Sequence, residues 1–212
     1  CSTDRTREII LDYQEKHPGI IRLITSDENV GMMENDRRTF RAARGKYIAC
    51  CEGDDYWCDP NKLQKQIAIM ESDPSISMCY HNVYFQYSDR NRMEKQFKWR
   101  FRDRFYSTKT VICVGGKFNK PVSVVVRRQD IIDLPDWYYQ APSGDWALNM
   151  ISAFNGKVYY LNNVMAVYRV NVSNSWSDVM YHNSELYKEH LFKAMKTRKM
   201  ANGATDDQYR KY

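Results

Sequence analysis

Glu52, Asp54 and Asp55 place three carboxylates within four residues, directly after the apolar run Tyr47–Cys51. Carboxylates this close repel one another, so a fold that holds them together needs a cation or a shared proton. An all-oxygen ligand set of this kind suits a hard divalent ion such as Mg or Mn, which typically also binds a substrate phosphate. If the apolar run is a buried strand, the acidic group stands at its carboxyl end, where open α/β sheets bind ligands. A solvated acidic turn ahead of an N-capped helix accounts for Asp59 before Pro60. It accounts less well for a strand that ends directly in E-G-D-D. His81 lies in an apolar strand-like run, where a lone histidine reads as a core residue and not as a ligand.

The elements that must position this group follow from periodicity. Ser2, Thr3 and Asp4 can cap a helix from about Thr6 to Lys16, ended by His17-Pro18-Gly19. Ile20–Thr25 reads as a strand and Asp27–Gly31 as a loop. Met32 to Arg44 carries a helical pattern, with Gly45 as its C-cap. Beyond the acidic turn, Pro60–Ser72 reads as an amphipathic helix with Leu63, Ile67 and Met70 as its stripe, and Ile76–Tyr87 as a strand. The order α, β, α, β, α, β argues for an α/β fold with a Rossmann-like, mostly parallel central sheet and helices on both faces. A parallel sheet that opens on a helix lacks its first strand, which leads us to expect residues upstream of Cys1. Residues 90–120 lose all periodicity, as functional or disordered insertions do. Val122–Arg128 returns as a strand, Gly144 to about Phe154 as a helix, Val158–Val170 as a strand and Ser184–Met200 as a basic helix.

Composition bounds the reading. The 212 residues suit one domain with an appendage, divided here as 1–178 and a basic helical extension 179–212. The net charge is +6, and basic residues cluster in Arg90–Arg104. That cluster suits an anionic lipid surface, a phosphate-bearing substrate or simply a solvated loop. No nucleic-acid-binding module is recognisable, so no nucleic-acid partner is expected. The six cysteines form no C-x-x-C pair, which argues against structural zinc and weakly for a reducing compartment. No apolar run reaches eighteen residues and no signal peptide is evident, so the expected location is cytoplasmic, at most with peripheral contact at the inner face of a membrane.

The ordered set C-S-T-D-R-T, D-E-N-V-G, A-A-R-G-K-Y-I, E-G-D-D-Y-W-x-D-P-x-K-L-x-K-Q, G-D-W-A-L and V-Y-R-V resembles family 2 glycosyltransferases of the GT-A fold. It looks like the bacterial members that build surface polysaccharides. The resemblance runs to about Asp178. Any one motif is weak; six in order over that length are specific.

The resemblance implies a nucleotide-sugar donor, a UDP-sugar foremost, and a glycan or lipid-linked acceptor, with Mn or Mg as cofactor. The family's D-x-D motif falls on Glu52-Gly53-Asp54, so Asp54 and Glu52 would hold the metal, with Gly53 between them at the donor. Asp4, Asn29, Gly31 and Asn35 match positions beside the donor. Asp36-Arg37 stands where many members carry Arg-Asn, so neither residue is carried over. Asp145 matches the catalytic base that would deprotonate the acceptor hydroxyl in an inverting, single-step displacement. A plain helix N-cap is the bland alternative. Asp55, Trp57 and Trp146 would face the acceptor, with Trp146 favoured over Trp57 because it adjoins Asp145. Either tryptophan could instead be core. Asn171 replaces a histidine common after V-Y-R-V, and Arg169 suits a phosphate or a structural ion pair equally. The competing readings are a non-catalytic nucleotide-sugar or glycan-binding domain on the same fold, and a nucleotidyltransferase with a related sheet.

Overall fold

A computed structural model describes residues 2–87, 92–99, 101–170, 172 and 175–205. The chain forms two compact units, Cys1–Arg44 and Gly45–Tyr212.

In the first unit α1 spans Thr6–Lys16 and α2 spans Met32–Ala42. Gly31 precedes α2 with φ +76°, a left-handed conformation that glycine adopts without steric cost. The expected strand at Ile20–Thr25 does not form. A strand needs a ladder partner; here the Ile20 and Ile21 amides donate to the His17 carbonyl, and two further polar groups meet side chains. The Leu23 amide donates to Gln14 Oε1 at 2.8 Å, and the Arg38 guanidinium donates to the Thr25 carbonyl.

The second unit holds a seven-stranded sheet. Its strands are β1 (Tyr47–Ala49), β2 (Tyr56–Trp57), β3 (Ile76–Tyr87), β4 (Arg92–Lys95), β5 (Arg104–Tyr106), β6 (Val125–Arg127) and β7 (Lys157–Val170). The order is β1-β6-β3-β7-β2, with β4 added to β3 and β5 to β7. The expected mostly parallel sheet is corrected to a mixed one. β3 and β7 run parallel over most of their length, and the other pairings are antiparallel. The antiparallel share comes from short strands that the sequence hid. β4 and β5 borrow pairing from the edges of β3 and β7, and β6 reverses direction after the Pro121–Ser123 3-10 turn.

Helices cover both faces, as expected. α3 (Lys62–Ser72) packs Met70 on Cys79, Val125, Leu161 and Met165. Successive strand residues point to opposite faces. Met78 and Tyr80 therefore look the other way, toward α4 (Thr108–Val114) and α5 (Gly144–Asn155). There Asn119 links Met78 Sδ, at 3.6 Å, to Asn149 of α5, at 2.8 Å. Tyr80, Phe118, Tyr160 and Tyr106 form an aromatic cluster on this face, with centroids 4.9 to 6.4 Å apart. Gly156 turns α5 into β7 so close to Ser75 that a Cβ would sit 2.5 Å from the Ser75 carbonyl oxygen. α6 (Trp176–His182) and α7 (Ser184–Gly203) follow. The last helix is fixed within this unit, because Thr197 and Ala201 are buried and Arg198 donates to the Ile112 carbonyl at 3.2 Å.

Candidate active site

The acidic turn is held from both flanks. Before it, the Cys50 amide donates to Val124 at 3.3 Å, extending the β1–β6 ladder by one bond. After it, Tyr56 and Trp57 pair with Val167 and Ala166 of β7, and the Cys58 amide donates to Met165 at 3.0 Å. The turn closes on itself through the Asp55 amide and the Glu52 carbonyl, 3.1 Å apart.

The K-L-x-K-Q segment explains how α3 supports this turn. Lys62, Gln66 and Met70 lie four residues apart on its buried face. Gln66 Nε2 donates to the carbonyls of Cys79 and Ser123, both at 2.9 Å, tying α3 to β3 and to the turn before β6. Lys62 is 1% exposed, and its ammonium lies 4.3 Å from the Trp57 ring centroid. Burial pulls its pKa down to about 8.

Glu52, Asp54 and Asp55 each offer an oxygen within 4.8 Å of the others. Asp55 is 8% exposed. Its Oδ1 accepts from the Arg169 amide at 2.9 Å, while its buried Oδ2 has no hydrogen-bond partner. Burial, with the Asp54 charge adding to it, raises its pKa to about 6. Asp55 was expected at the acceptor. Its side chain instead turns inward and joins the Glu52–Asp54 group. Three converging carboxylates with one orphaned buried oxygen fit a hard divalent cation, which would satisfy that oxygen and offset the mutual repulsion. Gly53 is exposed, and a Cβ there would meet nothing within 4 Å, so the turn is open above its middle.

Asp145 lies in the first turn of α5, one residue past its start, while Ser143 holds the cap position. The plain N-cap reading therefore does not describe it. Its carboxylate acts on the same two groups as the acidic turn does. Burial lowers the pKa of Lys120, while Asp145, Glu52 and Asp55 oppose that shift. Burial and the charges of Glu52, Asp55, Asp145 and Asp54 push the Tyr168 phenol up. Lys120 Nζ stands 5.0 Å from the Tyr168 ring centroid and 6.0 Å from that of Phe85. The Tyr168 phenol thus stands within electrostatic reach of all four carboxylates, and the Lys120 cation within reach of Asp145, Glu52 and Asp55. Sequence reasoning missed both. Tyr168 lay inside V-Y-R-V without a role, and Lys120 belongs to no motif; its one signal is a cation just before Pro121 and the Val122–Val126 run. His190 of α7 was missed too; burial lowers its pKa and the Asp145 charge opposes that shift.

Trp146 was expected either at the acceptor or in the core, and it lies in the core. It is 4% exposed, with the Arg198 guanidinium 5.6 Å from its ring centroid. A helix turns about 100° per residue, so adjacency to Asp145 puts Trp146 on another face, in the core. Trp57 is 37% exposed, and its Nε1 donates to the Val122 carbonyl at 3.1 Å, which fixes the ring while leaving part of it open. Arg169 bonds Asp55 through its backbone, and its guanidinium lies 5.4 Å from the Tyr56 ring centroid. His81 is fully buried, its Nδ1 is 2.7 Å from the Asn82 carbonyl, and burial drives its pKa down to about 3. Asn171 lies outside the described residues.

In the first unit, Asn29, Gly31 and Asn35 line one cavity of about 760 Å³ together with Arg7 and Arg38. The loop is shaped by Asn29 Oδ1, which accepts from the Gly31 amide at 3.0 Å. Asp4 is not among the lining residues. Its Oδ1 accepts from the Thr6 amide at 2.9 Å, and hydrogen bonds from the Thr6 side chain and then its amide lower its pKa.

Comparison with known proteins agrees with this architecture. The sequence profile of glycosyl transferase family 2 matches residues 1–134. An uncharacterized protein of Mycobacterium tuberculosis is 36% identical over 179 residues, covering 83% of this chain and 49% of that relative. A putative teichuronic acid biosynthesis glycosyltransferase of Bacillus subtilis is 37% identical over 70 residues, covering 33% of this chain and 27% of that protein. The chain thus spans about half the length, or less, of these curated relatives. Among solved structures, TarS 1-349 of S. aureus superposes with a TM-score of 0.56 at 17% identity, over 80% of this chain and 49% of that one. This likeness and the family profile show the GT-A type of α/β fold.

Proposed function

Because the chain belongs to glycosyl transferase family 2, we propose that it transfers a sugar, with inversion, from a nucleotide-diphosphate sugar to a glycan or lipid-linked hydroxyl in polysaccharide biosynthesis. A UDP-sugar is the first candidate donor, and the cytoplasmic side of a membrane is the proposed setting. The observation that carries this reading is the electrostatic grouping of Asp145 with Lys120 and the Glu52–Asp54–Asp55 turn.

In this reading Asp145 takes the proton from the acceptor hydroxyl as its oxygen attacks the anomeric carbon. Glu52, Asp54 and Asp55 are the residues that would hold a divalent cation. Such a cation, when bound, supplies positive charge against the donor's diphosphate. Lys120 adds a fixed positive charge among these carboxylates, preorganised where negative charge develops. Trp57 offers its open ring area to the acceptor sugar. Asn29, Gly31 and Asn35 are proposed donor-side residues from their match to the family.

The test is Asp145→Asn. Transfer should fall by roughly 10²- to 10⁴-fold, the range of a lost general base, while donor binding by calorimetry stays within about twofold. Unchanged transfer would refute the base assignment. Donor binding in the unaltered protein without transfer, across a broad acceptor panel, would instead favour a non-catalytic binding domain.

A further inference from the structure

Residues 92–99 and 101–106 belong to a strap that β4 and β5 anchor to opposite edges of the β3–β7 pair. Its middle is pinned as well. Asn82 holds both backbone groups of Phe97, accepting from its amide and donating to its carbonyl at 3.0 Å each. The Phe97 ring packs edge-on against Tyr160 at 5.8 Å. Further along, Asp103 Oδ1 accepts from the Asn162 amide at 2.8 Å, and Phe105 packs on Tyr159 at 4.8 Å. Between these pins Trp99 is 84% exposed and Phe101 70% exposed, with Met93 and Phe105 about half exposed. A segment fixed at several points, yet presenting its largest apolar side chains to water, is built to bury them elsewhere.

Charge narrows what covers it. The described strap carries Arg92, Lys95, Lys98, Arg102 and Arg104 against two carboxylates. Glu94 pairs with Arg92 and Lys98, at 2.6 and 2.5 Å, and Asp103 is engaged by the Asn162 amide. Lys95, Arg102 and Arg104 are exposed without an ion pair among the described residues. Shape narrows it further. A sugar or small anion is taken into a concave site, and the two described cavities are lined by residues of other segments. The strap exposes bulky aromatics interleaved with cations. That combination places rings at the boundary of headgroups and acyl chains and cations against lipid phosphates.

We propose that the strap of residues 92–99 and 101–106 is a membrane-docking surface that inserts Trp99 and Phe101 into an anionic lipid bilayer. No described helix is long and apolar enough to cross a membrane. This docking stands independently of the transfer reading, since neither aromatic belongs to the site around Asp145.

The test is sedimentation of the full chain with vesicles of phosphatidylcholine plus phosphatidylglycerol, and with pure phosphatidylcholine vesicles. Binding should favour the anionic vesicles and weaken with salt. The double variant Trp99→Ala/Phe101→Ala should lower the partition coefficient at least about tenfold, with an unchanged melting temperature because both side chains are exposed. Brominated lipids should quench fluorescence of the parent protein, and less so of the double variant. No binding to anionic vesicles, or equal binding by the double variant, overturns the proposal. So does aromatic-dependent binding of an acidic polysaccharide without vesicle binding, or aromatic-dependent self-association in its place.

Discussion

Asp55→Asn tests the electrostatics of the acidic turn. The Asp55 carboxyl is 8% exposed, with one oxygen bonded to the Arg169 amide and the other without a partner. Its pKa rises from 3.8 to about 6, chiefly through burial. A raised folded-state pKa contributes stability that is complete below the unfolded value and is lost as pH climbs through the folded value. In cation-free buffer, the shift corresponds to about 3 kcal/mol lost between roughly pH 4 and pH 7. About 1.4 kcal/mol of this separates pH 5 from pH 7.5. The absolute effect of Asp55→Asn near neutral pH balances two contributions of similar size. Removing the buried charge stabilises, while an amide N–H₂ without an acceptor costs about 1–3 kcal/mol. The slope with pH avoids this cancellation. Urea unfolding at several pH values should show the parent protein losing stability as pH rises through about 6, and Asp55→Asn losing about 1.4 kcal/mol less between pH 5 and 7.5. Saturating Mn should raise parent stability above pH 6 and do much less for the variant. Parallel pH profiles for the two proteins would refute the claim that Asp55 is a buried carboxylate waiting for a cation.

Two further substitutions probe the support of the site. Gln66→Ala leaves the Cys79 and Ser123 carbonyls without their donor and should destabilise by about 2–4 kcal/mol in urea unfolding; a loss below about 1 kcal/mol would contradict this bridging role. Lys120→Met removes a cation from among Asp145, Glu52 and Asp55. It should tighten Mn binding in calorimetry while transfer falls roughly tenfold or more, whereas equal weakening of both would make Lys120 a structural support only.

Long periodic elements were legible in the sequence. α1, α3, α5, β3 and β7 fall where spacing placed them, within about two residues. Elements that depend on partners were not. Residues 20–25 look like a strand by composition, but their described hydrogen bonds go to the His17 carbonyl and to the Gln14 and Arg38 side chains instead of a ladder. β4 and β5 carry no clean alternation because β3 and β7 supply the pairing. In the site, motif order drew attention to the acidic turn and Asp145, and Lys62 and Gln66 of K-L-x-K-Q lie on the buried face of α3. Direction was the hidden variable. Trp146 follows Asp145 in sequence but turns into the core, and Asp55 follows Asp54 but turns toward the Arg169 amide. Lys120 reaches the site only through tertiary structure, from a turn that no motif marks.

The central claim is that the acidic turn binds a divalent cation together with a nucleoside diphosphate. Its most direct test is the melting temperature of the full chain with UDP, GDP or CMP, each with and without Mn. A ligand that binds only the folded state raises that temperature by mass action. The account predicts a Mn-dependent rise with one nucleoside diphosphate, UDP first, that Asp54→Ala abolishes. A rise that ignores Mn, survives Asp54→Ala, or appears with none of the three nucleotides would contradict it.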